Sequence, residues 1–93
     1  MKFIEIVRQL SSFDEDQTIF LDRSDQLSAE TEGVVVWMPE DDATPSDAIG
    51  MKCFLDIWHA IEIIEGKSRL LGIRNPSDRE KLELLIQYTE TDA

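Results

Sequence analysis

GMKCFLDIWHAIEIIEG, residues 50–66, decides the fold. Read with a period of two, Met51, Cys53, Leu55 and Ile57 share a face and Lys52 and Asp56 fall opposite, as in a half-buried strand. Read with a period of 3.6, Phe54, Ile57, Trp58, Ile61 and Ile64 make an apolar helical stripe. Asp56, His59, Glu62 and Glu65 then form a polar one. Each period fits only part of the segment, and Gly50 disfavours a helix running in from Pro45. The reading adopted is a strand over 51–56 followed by a helix over 57–66, with Asp56 as N-cap and Gly66 as the stop. The alternative is one helix over 45–65, capped by Thr44 with Pro45 at its first position.

Upstream, Phe3, Ile6, Val7, Leu10 and Phe13 stand at offsets 0, 3, 4, 7 and 10, which predicts a helix over 2–12. Asp14, Glu15 and Asp16 end it in a solvated loop. TIFLD (18–22) is short, β-prone and bounded by charged turns, so it is expected to be a strand. Residues 23–32 are polar and read as a loop. Gly33 opens VVVWMP, apolar on both parities, which predicts a central strand covered on both faces and stopped by Pro39. Glu40, Asp41 and Asp42 begin a second acidic loop. Downstream, a helix is expected over 76–89, with Asn75 as cap and Pro76 in first position. Thr-Pro-Ser-Asp (44–47) and Asn-Pro-Ser-Asp (75–78) share capping chemistry, and their downstream sequences differ. The sum is a single α+β domain over residues 1–93: a small three-stranded antiparallel sheet with about three helices packed mainly on one face.

An apolar content of 42% suffices for a core in one small domain. The opening MKFIEIVRQL interrupts its apolar residues with Glu5 and Arg8, so a signal peptide is not expected, and no apolar run reaches the roughly 20 residues of a membrane span. The single cysteine, Cys53, excludes an internal disulfide and fits a reducing, cytoplasmic setting. Charge is the most pronounced compositional feature. Nine Lys and Arg stand against 20 Asp and Glu, a net −11. Residues 1–47 hold three basic and twelve acidic side chains, a net −9. Such a field repels nucleic acid and anionic lipid; it favours a basic partner, or serves simple solubility with no partner, which is the commoner case among small acidic proteins.

Chemical motifs are sparse. The four glycines are scattered and make no phosphate cradle. Asp22, Asp25 and Glu30 could begin a calcium loop, but the glycine it needs is missing and Arg23 intrudes. Asp56, His59 and Glu62 are the weak candidates for a metal set, short of ligands with one histidine in the chain. No cofactor and no catalytic residue is assigned. A Cys53–His59 nucleophile pair is disfavoured, because an isolated cysteine is more often a small core hydrophobe. Lys67, Arg69, Arg74, Arg79 and Lys81, mixed with Asp78 and Glu80, form the one basic cluster; it could bind an acidic group, but the commoner reading is that it complements the acidic half of the chain. Trp37 and Trp58 are hot-spot candidates by residue type, but in so small a core at least one is expected inside.

The expectation is a non-enzymatic protein-binding module. Its acidic loops, Asp14, Glu15, Asp16 and Glu40, Asp41, Asp42, would meet a basic protein, with a bacterial immunity or antitoxin-type inhibitor of a nuclease as the concrete form. One alternative is a structural homodimer or complex subunit whose acidity serves solubility, pairing through an edge of the 18–22 strand. The other is a small metal-binding protein.

Overall fold

The structure, a computed structural model, describes residues 1–24, 26–41 and 43–91. It is a small α+β fold: helix α1 (Phe3–Arg8), strands β1 (Thr18–Asp22), β2 (Gly33–Val36) and β3 (Met51–Asp56), then helices α2 (Ile57–Leu71) and α3 (Asp78–Thr91). The strands form one antiparallel sheet in the order β2-β1-β3. No helix is long and apolar enough to cross a membrane among the described residues.

The change of period inside residues 50–66 is a change of element. β3 ends at Asp56 and α2 begins at Ile57. Gly50, at φ 84°, turns the chain out of a single 3-10 turn (Ser46–Ala48) and into β3, so no helix spans 45–65. Asp56 holds the N-cap position, but its carboxylate accepts a hydrogen bond from Thr18 Oγ1 (2.7 Å) and leaves the helix uncapped. The first N–H groups of α2 find backbone acceptors instead: Ile57 N donates to Gln17 O (2.9 Å) and Trp58 N to Glu15 O (3.1 Å). Those donors would otherwise be orphans. The loop before β1 therefore caps α2 and sits at its positive end, where Glu15 is favoured.

Gly66 does not stop α2. The helix continues to Leu71, and the left-handed residue that ends it is Gly72 (φ 73°), with Ile73 N donating to Ser68 O (2.8 Å). A glycine inside a helix costs only about 1 kcal/mol, too little to end one whose buried face continues past it. That face is Ile57, Ala60, Ile63, Ile64 and Ser68.

The cap of α3 also moves. Ser77, not Asn75, closes a reciprocal box with Glu80: Ser77 N donates to Glu80 Oε1 (3.0 Å) and Glu80 N to Ser77 Oγ (3.2 Å). The helix accordingly starts at Asp78 rather than Pro76. The related stretch at 44–47 has Ile49 where this one has Glu80, and it yields a single turn. At the other end of the chain, α1 is shorter than 2–12 and gives way to a 3-10 turn, Leu10–Ser12. Its first N–H groups are met by the polar segment before β2: Phe3 N donates to Thr31 O (2.8 Å) and Ile4 N to Ala29 O (3.2 Å).

The sheet departs from expectation in its middle. β2 is an edge strand, with Val34, Val35 and Val36 only half-buried. β1 is central, and Thr18, Ile19, Phe20 and Leu21 are all buried. A run apolar on both parities suggested the centre at β2. Thr18 disguised the true centre, because a hydroxyl is tolerated there only through its bond to Asp56. Both sides of β1 are paired, so the 18–22 strand offers no free edge for a homodimer.

The helices share one face of the sheet. Ile19, Leu21 and Leu55 join Phe3, Ile6, Val7, Leu10, Ile57, Ala60, Ile64, Leu82 and Leu85 in one core. α3 packs across both α1 and α2. Between Ile19 and Phe20 the pairing with β3 slips by one residue, from Leu55 to Cys53, so Phe54 is a bulge. A bulge brings neighbouring side chains toward one side. Both Leu55 and Phe54 thereby reach the helical face, where Phe54 meets Phe3 edge-on with ring centroids 5.3 Å apart. On the opposite parity, Phe20 is buried outside that core, as is Ala48 of the turn that packs on β2.

Candidate protein-interaction surface

Register places the two tryptophans at one end of the sheet. Thr18 opens β1 and pairs with Val36 on one side and Asp56 on the other. Those two neighbours stand about 10 Å apart across the sheet, two interstrand spacings. Trp37 follows Val36 directly, and Trp58 comes two residues after Asp56. Neither is in the core: Trp37 is 58% exposed and Trp58 44%. This overturns the expectation that at least one would be inside. The helical stripe drawn through Phe54, Ile57, Trp58 and Ile61 is rotated from the face that α2 buries, which leaves Trp58 at its margin. Trp37 lies past the end of β2, where no partner strand covers it.

His59 belongs to this surface as packing. It is half-buried, stacked on Trp58 (centroids 5.1 Å, interplanar angle 21°) and edge-on to Tyr88 of α3 (5.8 Å, 73°). It lines neither the groove that holds Val7 and Ile61 nor the pocket that holds Leu21 and Cys53. Among the described residues no three His, Cys, Asp or Glu are placed to hold a metal ion; Asp56 is engaged with Thr18, and Glu62 is exposed on α2. Cys53 is largely exposed on the edge strand β3, but its partial burial first, and then the Asp56 carboxylate, push its thiol above the usual range. Those two influences disfavour the thiolate that nucleophilic chemistry requires.

The acidic loops leave from the same end as the tryptophans. Asp14, Glu15 and Asp16 lead into Thr18, and Glu40 and Asp41 follow Trp37 in the loop leaving β2. Asp42 and Asp25 lie outside the described residues. The first loop is held in shape by its own groups: Asp16 N donates to Asp14 Oδ1 (2.9 Å), Asp14 N to Gln17 Oε1 (3.0 Å) and Gln17 N to Asp14 O (3.1 Å). In the second, Ala43 N donates to Asp41 Oδ1 (3.1 Å). The ion pairs among the described residues engage Glu30, Glu32 and Asp78, and none engages Asp14, Glu15, Asp16, Glu40 or Asp41. These carboxylates therefore have no ion-pair partner among the described residues. The same end of the sheet therefore carries two partly exposed indoles and the starts of two acidic loops.

No protein-family model, curated protein or solved structure matches the chain.

Proposed function

We propose that the chain is a protein-binding module whose acidic, tryptophan-bearing end docks on a basic surface of another protein. One observation carries the reading: Trp37 and Trp58 are exposed at the end of the sheet from which two acidic loops emerge, whose carboxylates make no ion pair among the described residues. Tryptophan is the residue most enriched among binding hot spots, and flanking charge of one sign steers a partner of the other. A nuclease, with a groove built to hold phosphate, presents the complementary surface. The concrete form of the proposal is therefore an immunity or antitoxin-type inhibitor that occupies such a groove without acting as an enzyme.

The test is affinity capture from host lysate with the wild type and with a Trp37→Ser, Trp58→Ser double variant, at low and at high salt. Both side chains are partly exposed, so the double variant is expected to keep its fold by circular dichroism. The reading predicts a basic protein retained by the wild type at low salt, weakened as screening increases and lost by the variant. A captured protein that is acidic, or that ignores both salt and the tryptophans, contradicts it.

A further inference from the structure

A second surface, of the opposite character, lies where α3 crosses from α1 to α2. A groove of about 840 Å³ opens between α1 and the C-terminal part of α2, closed at one end by the α2–α3 connection. Its apolar wall is Val7, Leu10, Ile61, Ile64 and Ile73. Its charged lining is Arg8, Arg69, Arg74 and Lys81, against Glu65 alone. Four of the nine basic residues of a chain with net charge −11 thus line one concavity.

Arg8 is partly engaged, its Nε 3.4 Å from Asp78 Oδ2. Arg69, Arg74 and Lys81 pair with no carboxylate among the described residues. Arg69, in the last turn of α2, is favoured there by the helix dipole. Arg74 and Lys81 lie outside that helix, and the dipole does not account for them. Ser68 lines the same groove, and its hydroxyl is buried with no hydrogen-bond partner among the described residues. Buried polar atoms are ordinarily satisfied, so this hydroxyl is a local packing exception beside the groove.

We infer that this groove binds a small amphipathic anion. The aliphatic part lies along Val7, Leu10, Ile61, Ile64 and Ile73, and the carboxylate or phosphate head lies on Arg69, Arg74 and Lys81. The site is independent of the tryptophan end. The overall negative field does not prevent binding, because at physiological salt charges beyond about 8 Å are screened while those in the groove act at contact. A guanidinium group can bridge two oxygens of a carboxylate or of a phosphate by paired hydrogen bonds.

Octanoate and octyl phosphate, below their micellar concentrations, are titrated into the full chain and followed by amide chemical shifts. Octanol and octyltrimethylammonium are titrated in parallel. The inference predicts saturable shifts in the groove with one or both anions, and the tighter of the two identifies the preferred head. It also predicts that Arg69→Gln, Arg74→Gln together weaken binding by at least about tenfold, as loss of charge-assisted pairing should. Both arginines are exposed, so the variant keeps its fold. The inference is overturned if neither anion shifts the groove, if octanol or the ammonium binds as well, or if the double variant binds unchanged.

Discussion

Replacing Phe3 by alanine is expected to lower the unfolding free energy by about 3–5 kcal/mol, measured by chemical denaturation. Phe3 is fully buried and contacts Phe54 edge-on, so the substitution removes transfer energy, opens a cavity and breaks an aromatic pair. A chain of 93 residues has a total stability of roughly 5–14 kcal/mol by the usual per-residue range, so the loss is a large share of it. Phe13 is the internal control. It falls on the same helical spacing in the sequence, but lies beyond α1 and the 3-10 turn and is only half-buried. Phe13→Ala should cost about 1–2 kcal/mol, in proportion to its smaller burial. Equal losses at the two positions would mean that residues 3–13 pack as one continuous helix after all.

Gly33→Ala is expected to destabilise by about 1–3 kcal/mol, against what strand propensity suggests. Glycine ahead of three valines reads as a weak point in a strand, and alanine there would normally help by restricting the unfolded chain. The packing reverses the sign. A Cβ at residue 33 would sit 2.8 Å from the backbone oxygen of Phe20, 2.6 Å from Leu21 Cδ2 and 3.0 Å from Ile6 Cδ1. The side-chain atoms can give way a little, but the carbonyl belongs to the central strand and cannot move without disturbing its ladder. Gly66→Ala provides the opposite case. Apart from its chain neighbours and the helix's own backbone, no described atom lies within 4 Å of its added methyl, and the residue is inside α2, so a gain of about 0.5–1 kcal/mol is expected.

These contrasts show where the fold was legible. TIFLD was readable as β1 to the residue, because charge bounds it on both sides. The boundary between β3 and α2 was readable because the hydrophobic period changes within one segment. Gly66 misled because composition does not show whether the buried face of a helix continues past a glycine. The Val34–Val36 run misled for a related reason. Two-sided hydrophobicity measures what a strand could bury, while the centre of the sheet went to the strand whose threonine found a carboxylate across the ladder. Asn75 misled because the residue that caps is the one with a glutamate three positions on, Ser77.

The candidate surface was half legible. The acidic loops stood out in the charge pattern, but residue type alone placed a tryptophan inside, since nothing local reveals which side of α2 faces the core. The groove was hidden more deeply. Arg69, Arg74 and Lys81 could be seen as a cluster, but Arg8 joins them only because α3 packs on both α1 and α2, which are far apart in the sequence. Lys67 and Arg79, equally part of the sequence cluster, do not line it.

The shared location of the indoles and the unpaired carboxylates is tested most directly by fluorescence quenching with caesium and with iodide. Trp37 and Trp58 are the chain's two tryptophans, so the emission reports on them alone. Each quenching constant is normalised to that of free N-acetyltryptophanamide. Negative charge concentrates cations and excludes anions near a surface. Caesium should therefore quench the native protein more efficiently than iodide, and neutralising Asp14, Glu15 and Asp16 to their amides should narrow the gap. Emission shielded from both ions, or quenched by iodide at least as well as by caesium, would contradict the account.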